Sequence, residues 1–262
     1  MKWIDAHNHL HDARLEPHRA TILPTLDLEC AVVNGTSERD WPRVAALAVD
    51  HDWVLPSFGL HPWHVAARPA RWLDELRAFL DAHPRAGIGE IGLDCWVKDH
   101  DLADQTSVFT AQLALAAERD LPVTIHCVQA WGALWEMLRA GPLPARGFLL
   151  HAYGGSVEMM RGFAERGAYF SFSPYFLHER KAAQRSVFAA IPEDRLLVET
   201  DAPDLRPPDE KNPHPLSDAI GEPINHPANI ELAHSALATI RDVPMEKLAG
   251  IVAANFRRWT GR

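Results

Sequence analysis

Seven side chains sit at the ends of apolar runs where they could hold metal ions and move protons. His7 and His9 follow the first run, His61 follows the third, Glu90 ends the fourth, His126 the fifth, His151 the sixth and Asp201 the eighth. Imidazole nitrogens and carboxylate oxygens together suit zinc, manganese or iron, and the carboxylates also accept magnesium. The His-x-His pair constrains the backbone. Residues i and i+2 face one side only on an extended chain, and on a helix they would diverge by about 200°. His7 and His9 can therefore grip one ion only where the chain is extended. Taken alone the pair could be an accident of the surface, but five further groups at equivalent places make that reading the weaker one.

Each remaining group has an ordinary reading beside the chemical one. Glu90, in Gly89-Glu90-Ile91-Gly92, could cap a helix, although burial among glycines and apolar residues without a cationic partner would be costly. His126 and His151 could each be core histidines bonded to a carbonyl. Asp201 could be the first polar residue of a turn before Pro203. The other histidines, His11 and His234 among them, are assigned to surface or packing. His214 and His226 are exceptions, because the loop that carries them could fold over the site. Trp63, Trp96 and Trp131 follow strand ends, where they could stack on a base or roof the fold.

A scaffold must bring residues nearly 200 positions apart into contact. The periodicity predicts eight strands: 2–5, 30–34, 54–59, 86–90, 122–126, 147–151, 168–172 and 196–201. Between them lie amphipathic stretches at 16–28, 38–52, 71–82, 104–120, 130–139, 156–165 and 179–190, with two more near 227–241 and 244–260. Ser37 and Ser156 stand as N-caps, Gly167 as a left-handed helix stop. Strands that are apolar until their last residue are buried on both faces, as parallel sheets require. Eight such units, with no G-x-G-x-x-G turn after the first strand, predict an α/β fold: a single-domain (β/α)8 barrel over 1–262. Its C-terminal strand ends would converge on one mouth. The proline-rich stretch 203–227 fits no element and is expected to be a functional loop.

Composition narrows the partners. The chain has 262 residues, 47% of them apolar, with 26 Lys plus Arg against 35 Asp plus Glu, a net charge of −9, and 15 histidines. That balance opposes a basic surface gripping nucleic acid non-specifically. Three widely spaced cysteines, Cys30, Cys95 and Cys127, disfavour a disulfide framework or a zinc ribbon. No apolar run reaches the roughly 18–20 residues of a membrane span, so a cytoplasmic protein without a membrane partner is expected.

The motifs Asp5-Ala6-His7-Asn8-His9-Leu10, Gly59-Leu60-His61-Pro62, Gly89-Glu90-Ile91-Gly92-Leu93-Asp94, Leu121-Pro122-Val123-Thr124-Ile125-His126, His151-Ala152-Tyr153-Gly154-Gly155, Glu199-Thr200-Asp201-Ala202-Pro203 and Asn255-Phe256 resemble, in order and spacing, the TatD family of metal-dependent hydrolases. The resemblance covers essentially the whole chain. It implies a deoxyribonuclease or exonuclease cleaving phosphodiester bonds with two divalent ions (Mg2+, Mn2+ or Zn2+). By motif, His7, His9 and Asp201 would bind one ion, His126 and His151 the other, and Glu90 would bridge them. His61 would contact the substrate phosphate or orient water, and Asp201 would orient or deprotonate the attacking water. The expected partner is nucleic acid, single-stranded or engaged at an end, and the expected state is a monomer without an obligate protein partner. The chain departs from the family at Val128, where an arginine is frequent, and in His-Ala-Tyr-Gly-Gly, where His-Cys-Phe-Ser-Gly is frequent. The alternative is an amidohydrolase-like enzyme acting on a small amide, ester or lactone. A carbamylated lysine is typical there, whereas Glu90 stands at that place. A non-enzymatic scaffold retaining the same fold is the remaining reading.

Overall fold

Short β-branched and aromatic runs, buried at nearly every position, form the inner layer. A computed structural model describes residues 1–262. Its eight core strands are β1 (Trp3–Asn8), β2 (Leu28–Asn34), β3 (Val54–Phe58), β4 (Gly87–Asp94), β5 (Val123–Val128), β6 (Phe148–Leu150), β7 (Ala168–Phe172) and β8 (Leu196–Val198). They pair in sequence order, every pair parallel. The helices are α1 (Glu16–Ile22), α2 (Trp41–Asp50), α3 (Trp72–Ala82), α4 (Leu102–Arg119), α5 (Trp131–Ala140), α6 (Val157–Glu165), α7 (Ala182–Ala190), α8 (Ile230–Arg241) and α9 (Met245–Thr260). This is the expected (β/α)8 barrel, and one continuous apolar core of 59 residues fills it and the space beneath its helices. No helix is long and apolar enough to cross a membrane.

The seam between β8 and β1 is closed without a regular ladder. The Asp5 carboxylate accepts the Thr200 backbone N–H at 3.0 Å and its hydroxyl at 2.6 Å. Beyond it Asp201 N–H donates to His7 O and His9 N–H to Ala202 O, at 3.0 and 2.8 Å. Burial raises the Asp5 carboxyl to about 7 in spite of these donors. The bonds that complete the barrel thus lie directly behind His7 and Asp201.

Several boundaries differ from expectation, for local reasons. The first helix stops at Ile22 and not at Leu28, because Leu28 opens β2. Ser37 does not cap α2, which starts at Trp41. Instead Asp40 turns back and accepts the Thr36 and Ser37 N–H groups. Ser156 does cap α6, accepting the Met159 N–H, and Gly167 takes φ +94° just beyond that helix. Strand β4 runs four residues past Glu90. Gly92 makes this possible, with φ +153° and its α-carbon against the His126 backbone, where no side chain would fit. The loop 203–227 is not without structure: Leu216–Ser217 and Pro223–Ile224 pair as a small antiparallel hairpin, β9 and β10.

Candidate metal centre

Extended backbone at the end of β1 aims His7 and His9 to one side, and their Nε2 atoms lie 3.2 Å apart. Asp201 meets them from across the seam. Its backbone takes φ +56°, a left-handed conformation that aspartate tolerates better than most residues. Its Oδ1 lies 3.1 Å from His7 Nε2 and 3.4 Å from His9 Nε2. From the middle of β4, Glu90 Oε2 stands 3.5 and 3.2 Å from the same two nitrogens. A tetrahedral shell with bonds of about 2.0–2.1 Å has corners about 3.3 Å apart, so these four atoms fit a divalent ion. Asp201 Oδ1 is buried without a hydrogen-bond partner, as an unfilled ligand would be.

The other oxygen of Glu90 faces a second group. Oε1 is 2.9 Å from His126 Nδ1 and 2.9 Å from His151 Nε2, and these nitrogens are 3.3 Å apart. Three donors around a second position leave space for water or a substrate oxygen, the arrangement of catalytic sites. The structure therefore brings all six expected ligands into one buried cluster, with Glu90 between two sets of histidines.

Electrostatics hold the cluster together without metal. Burial alone would lower the pKa of His9 and His151. Contacts with Asp201 and Glu90 for His9, and with Glu90 and Glu199 for His151, outweigh it and hold both rings well above the ordinary histidine value. Burial would raise Glu90 and Asp201, but the surrounding imidazoles hold both well below the usual carboxylate range. Incoming ions must displace these protons.

The outer nitrogens of the four histidines meet different partners. His9 Nδ1 lies 2.7 Å from the Asn34 carbonyl oxygen, which fixes a proton on Nδ1 and leaves Nε2 for an ion. His7 Nδ1 lies 3.0 Å from Asn34 Nδ2, while Asn34 Oδ1 is buried and unpaired. Turning that amide over lets Oδ1 accept the Nδ1 proton. His126 Nε2 lies 3.0 Å from Asp94 Oδ2. His151 Nδ1 lies 3.6 Å from Glu199 Oε1, both atoms lacking a hydrogen bond, and Glu199 also takes the Ser171 hydroxyl. Asn34, Asp94 and Glu199 were not singled out from the sequence. A signal existed: Asn34 ends a strand just as the histidines do, Asp94 is four residues from Glu90 on one extended strand, and Glu199 is two from Asp201.

Around the cluster opens a cavity of about 1090 Å³. His61 stands at its floor, Nε2 3.5 Å from Glu90 Oε1. Its Nδ1 accepts the Trp63 N–H at 3.2 Å, so the proton resides on Nε2, and burial foremost lowers the ring to about 4. His61 is thus a neutral donor aimed at the cluster. Arg39, Arg43 and Lys181 line the walls, while Arg14 is bound to Asp12 and Asp204. His214 and His226 do not reach the mouth. They pack against each other with rings tilted by 32° and centroids 5.3 Å apart, and the loop supplies Asp204 and Leu205 to the cavity instead. His11 is buried against Asp40 at 3.3 Å, and His234 packs within the core.

Known proteins resemble this chain along its length. Residues 4–261 match the family described as TatD related DNase. The 3'-5' ssDNA/RNA exonuclease TatD of Erwinia tasmaniensis is 31% identical over 229 residues, covering 87% of this chain and 86% of that protein. The uncharacterized metal-dependent hydrolase YabD of Bacillus subtilis is 27% identical, with 97% of each covered. The crystal structure of YjjV, a TatD homologue from Escherichia coli K12, superposes with a TM-score of 0.89 at 26% identity, covering 99% of this chain and 98% of that one. A barrel whose strand ends gather four histidines around Glu90 and Asp201, matched along its length by these proteins, belongs to the TatD family of metal-dependent hydrolases.

Proposed function

We infer that this chain is a two-metal phosphodiesterase that shortens single-stranded nucleic acid from an end, working as one catalytic unit over its whole length. The observation that carries the reading is Glu90, whose two oxygens serve two separate histidine pairs. His7, His9 and Asp201 would hold one divalent ion, His126 and His151 a second, with Glu90 between them. Bound ions would supply an acidified water and neutralise charge on the phosphoryl oxygens. Asp201, at the cavity edge, orients the attacking water and accepts its proton. The His61 Nε2–H donates to a phosphate oxygen. Arg39, whose guanidinium is 3.7 Å from Glu38, and Arg43 attract the phosphate chain into a protein whose net charge is −9. The name of the Erwinia tasmaniensis relative favours nucleic acid over other esters, and Glu90 on the fourth strand, where a carbamylated lysine is typical of amidohydrolases, favours it over an amide.

The test is incubation of chelator-treated protein, reloaded with Mg2+, Mn2+ or Zn2+, with end-labelled single-stranded DNA and RNA and with a panel of small amides. A ladder shortening from one end is expected, and Asp201→Asn should lower its rate about 10²–10⁴-fold while circular dichroism stays unchanged. Cleavage of amides alone would move the assignment to an amidohydrolase.

A further inference from the structure

Of nine tryptophans, seven are buried or half-buried, and two, Trp63 and Trp96, are exposed to 54% and 64%. Both follow the C-terminal ends of neighbouring strands, β3 and β4, and both line the cavity of the metal centre. Neither helps build the core. Apolar rings of this size left in water cost stability unless something covers them in use.

Polar contacts to one carboxylate help to place both residues. The Trp63 indole N–H donates to Asp94 Oδ2 at 2.7 Å, and the Trp96 backbone N–H donates to Asp94 Oδ1 at 2.7 Å. One carboxylate therefore aligns both residues, and it is the same carboxylate that backs His126. Trp63 also meets the His61 ring edge-on, centroids 5.2 Å apart. The Trp63 ring remains 54% exposed and so is open to a ligand. Arg39 and Arg43 line the same cavity. Aromatic rings and guanidinium groups in one cavity match a ligand with a planar ring and a phosphate on one backbone.

Resting on the reading of the site as a phosphodiesterase, we propose that Trp63 and Trp96 form a base-stacking subsite that seats the nucleobase beside the scissile phosphate. Stacking is tolerant of base identity, because every base has a π face. The subsite thus selects nucleotides over other phosphodiesters without selecting sequence. Asp94 serves as the positioning residue shared by the subsite and the second metal position.

The metal-loaded protein is given two single-stranded DNA oligonucleotides of equal length, one complete, the other lacking bases on the two terminal nucleotides at each end. In parallel, tryptophan fluorescence is titrated with a mononucleotide. Wild-type kcat/KM should favour the complete strand by roughly 5- to 100-fold. The Trp63→Ala/Trp96→Ala double variant should bring that ratio within about twofold and lose the fluorescence quench. Trp63→Phe, which keeps a ring but no N–H, should retain most of the preference. Equal cleavage of both strands with no quench would overturn the subsite and leave the phosphodiesterase standing. Loss of preference in Trp63→Phe together with a lower ion content would also overturn it, assigning the residue to support of Asp94. Quenching by the mononucleotide with no strand cleaved would remove the phosphodiesterase reading while upholding the subsite.

Discussion

The two halves of the metal centre solve one problem in opposite ways. Around His7 and His9 the negative charge is in direct reach: Asp201 and Glu90 both point at the histidine nitrogens, and behind the rings stand only the neutral amide groups of Asn34. Around His126 and His151 only Glu90 is in reach, and the carboxylates stand behind the rings as Asp94 and Glu199. A carboxylate behind an imidazole raises its basicity and locks its tautomer. The second half thus receives at one remove the anionic support that the first half has directly. Four buried carboxylates surround the cluster, two on each scheme. Coordination by the second half would be the looser and more open, and by the first half the tighter.

The heaviest blow to this contrast is removal of the residue common to both halves. Glu90→Ala should reduce hydrolysis by on the order of 10³-fold or more and empty both positions. Elemental analysis after desalting would then find less than one ion per chain, and two retained ions would break the assignment of Glu90 as the bridge.

Separate loss of the outer carboxylates sharpens it. Asp94→Asn and Glu199→Gln should each weaken one of the two binding events about 10- to 100-fold and leave the other nearly intact. Calorimetric titration with Mn2+ resolves the two, and an equal loss in both would show that the halves do not differ in this way.

Acid should act on the ions before it acts on the fold. His9 and His151 are held protonated in the metal-free protein by Asp201, Glu90 and Glu199, yet each must be neutral to coordinate. Ion affinity should therefore fall as pH is lowered, and binding should release protons. Titrations in two buffers of different ionisation enthalpy measure that release. A heat independent of buffer would contradict it.

The smallest effect lies outside both halves. Burial lowers His234 to about 4 against an ordinary 6.5, so its neutral form stabilises the fold fully above pH 6.5. That contribution is lost as pH falls from 6.5 towards 4, where the unfolded chain takes up the proton first. His234→Leu should flatten the fall of Tm in this window by about 2–4 °C. Ion affinity above pH 7 should not change, since His234 bonds only the Ile4 carbonyl.

Much of the fold was legible because two-sided burial writes itself as apolar runs. The boundaries were less so. Helix α1 was overextended because nothing in Leu26-Asp27-Leu28 marks the switch from periodic burial to an extended strand. Ser37 has the chemistry of a cap, but a closer acceptor, Asp40, took the N–H groups around it. The hairpin 216–224 was hidden because strands of two residues have no period to read. His214 and His226 could as well have covered the mouth, and their packing against each other is a contact that no local pattern encodes.

The sequence by itself determined which side chains gather. Imidazoles and carboxylates at the ends of buried strands have one economical use, and a barrel gives those ends a common mouth whatever the loops do. Only the tertiary structure decided how the set divides. Which oxygen of Glu90 faces which pair, and which rings are backed by amide and which by carboxylate, depend on contacts between β1 and β2, β4 and β5, and across the seam from β8 to β1. Those contacts join residues up to 195 positions apart in the chain. Hydrogen bonds and charges act over a few ångströms of space, and the order of residues fixes such distances only after the chain has closed on itself.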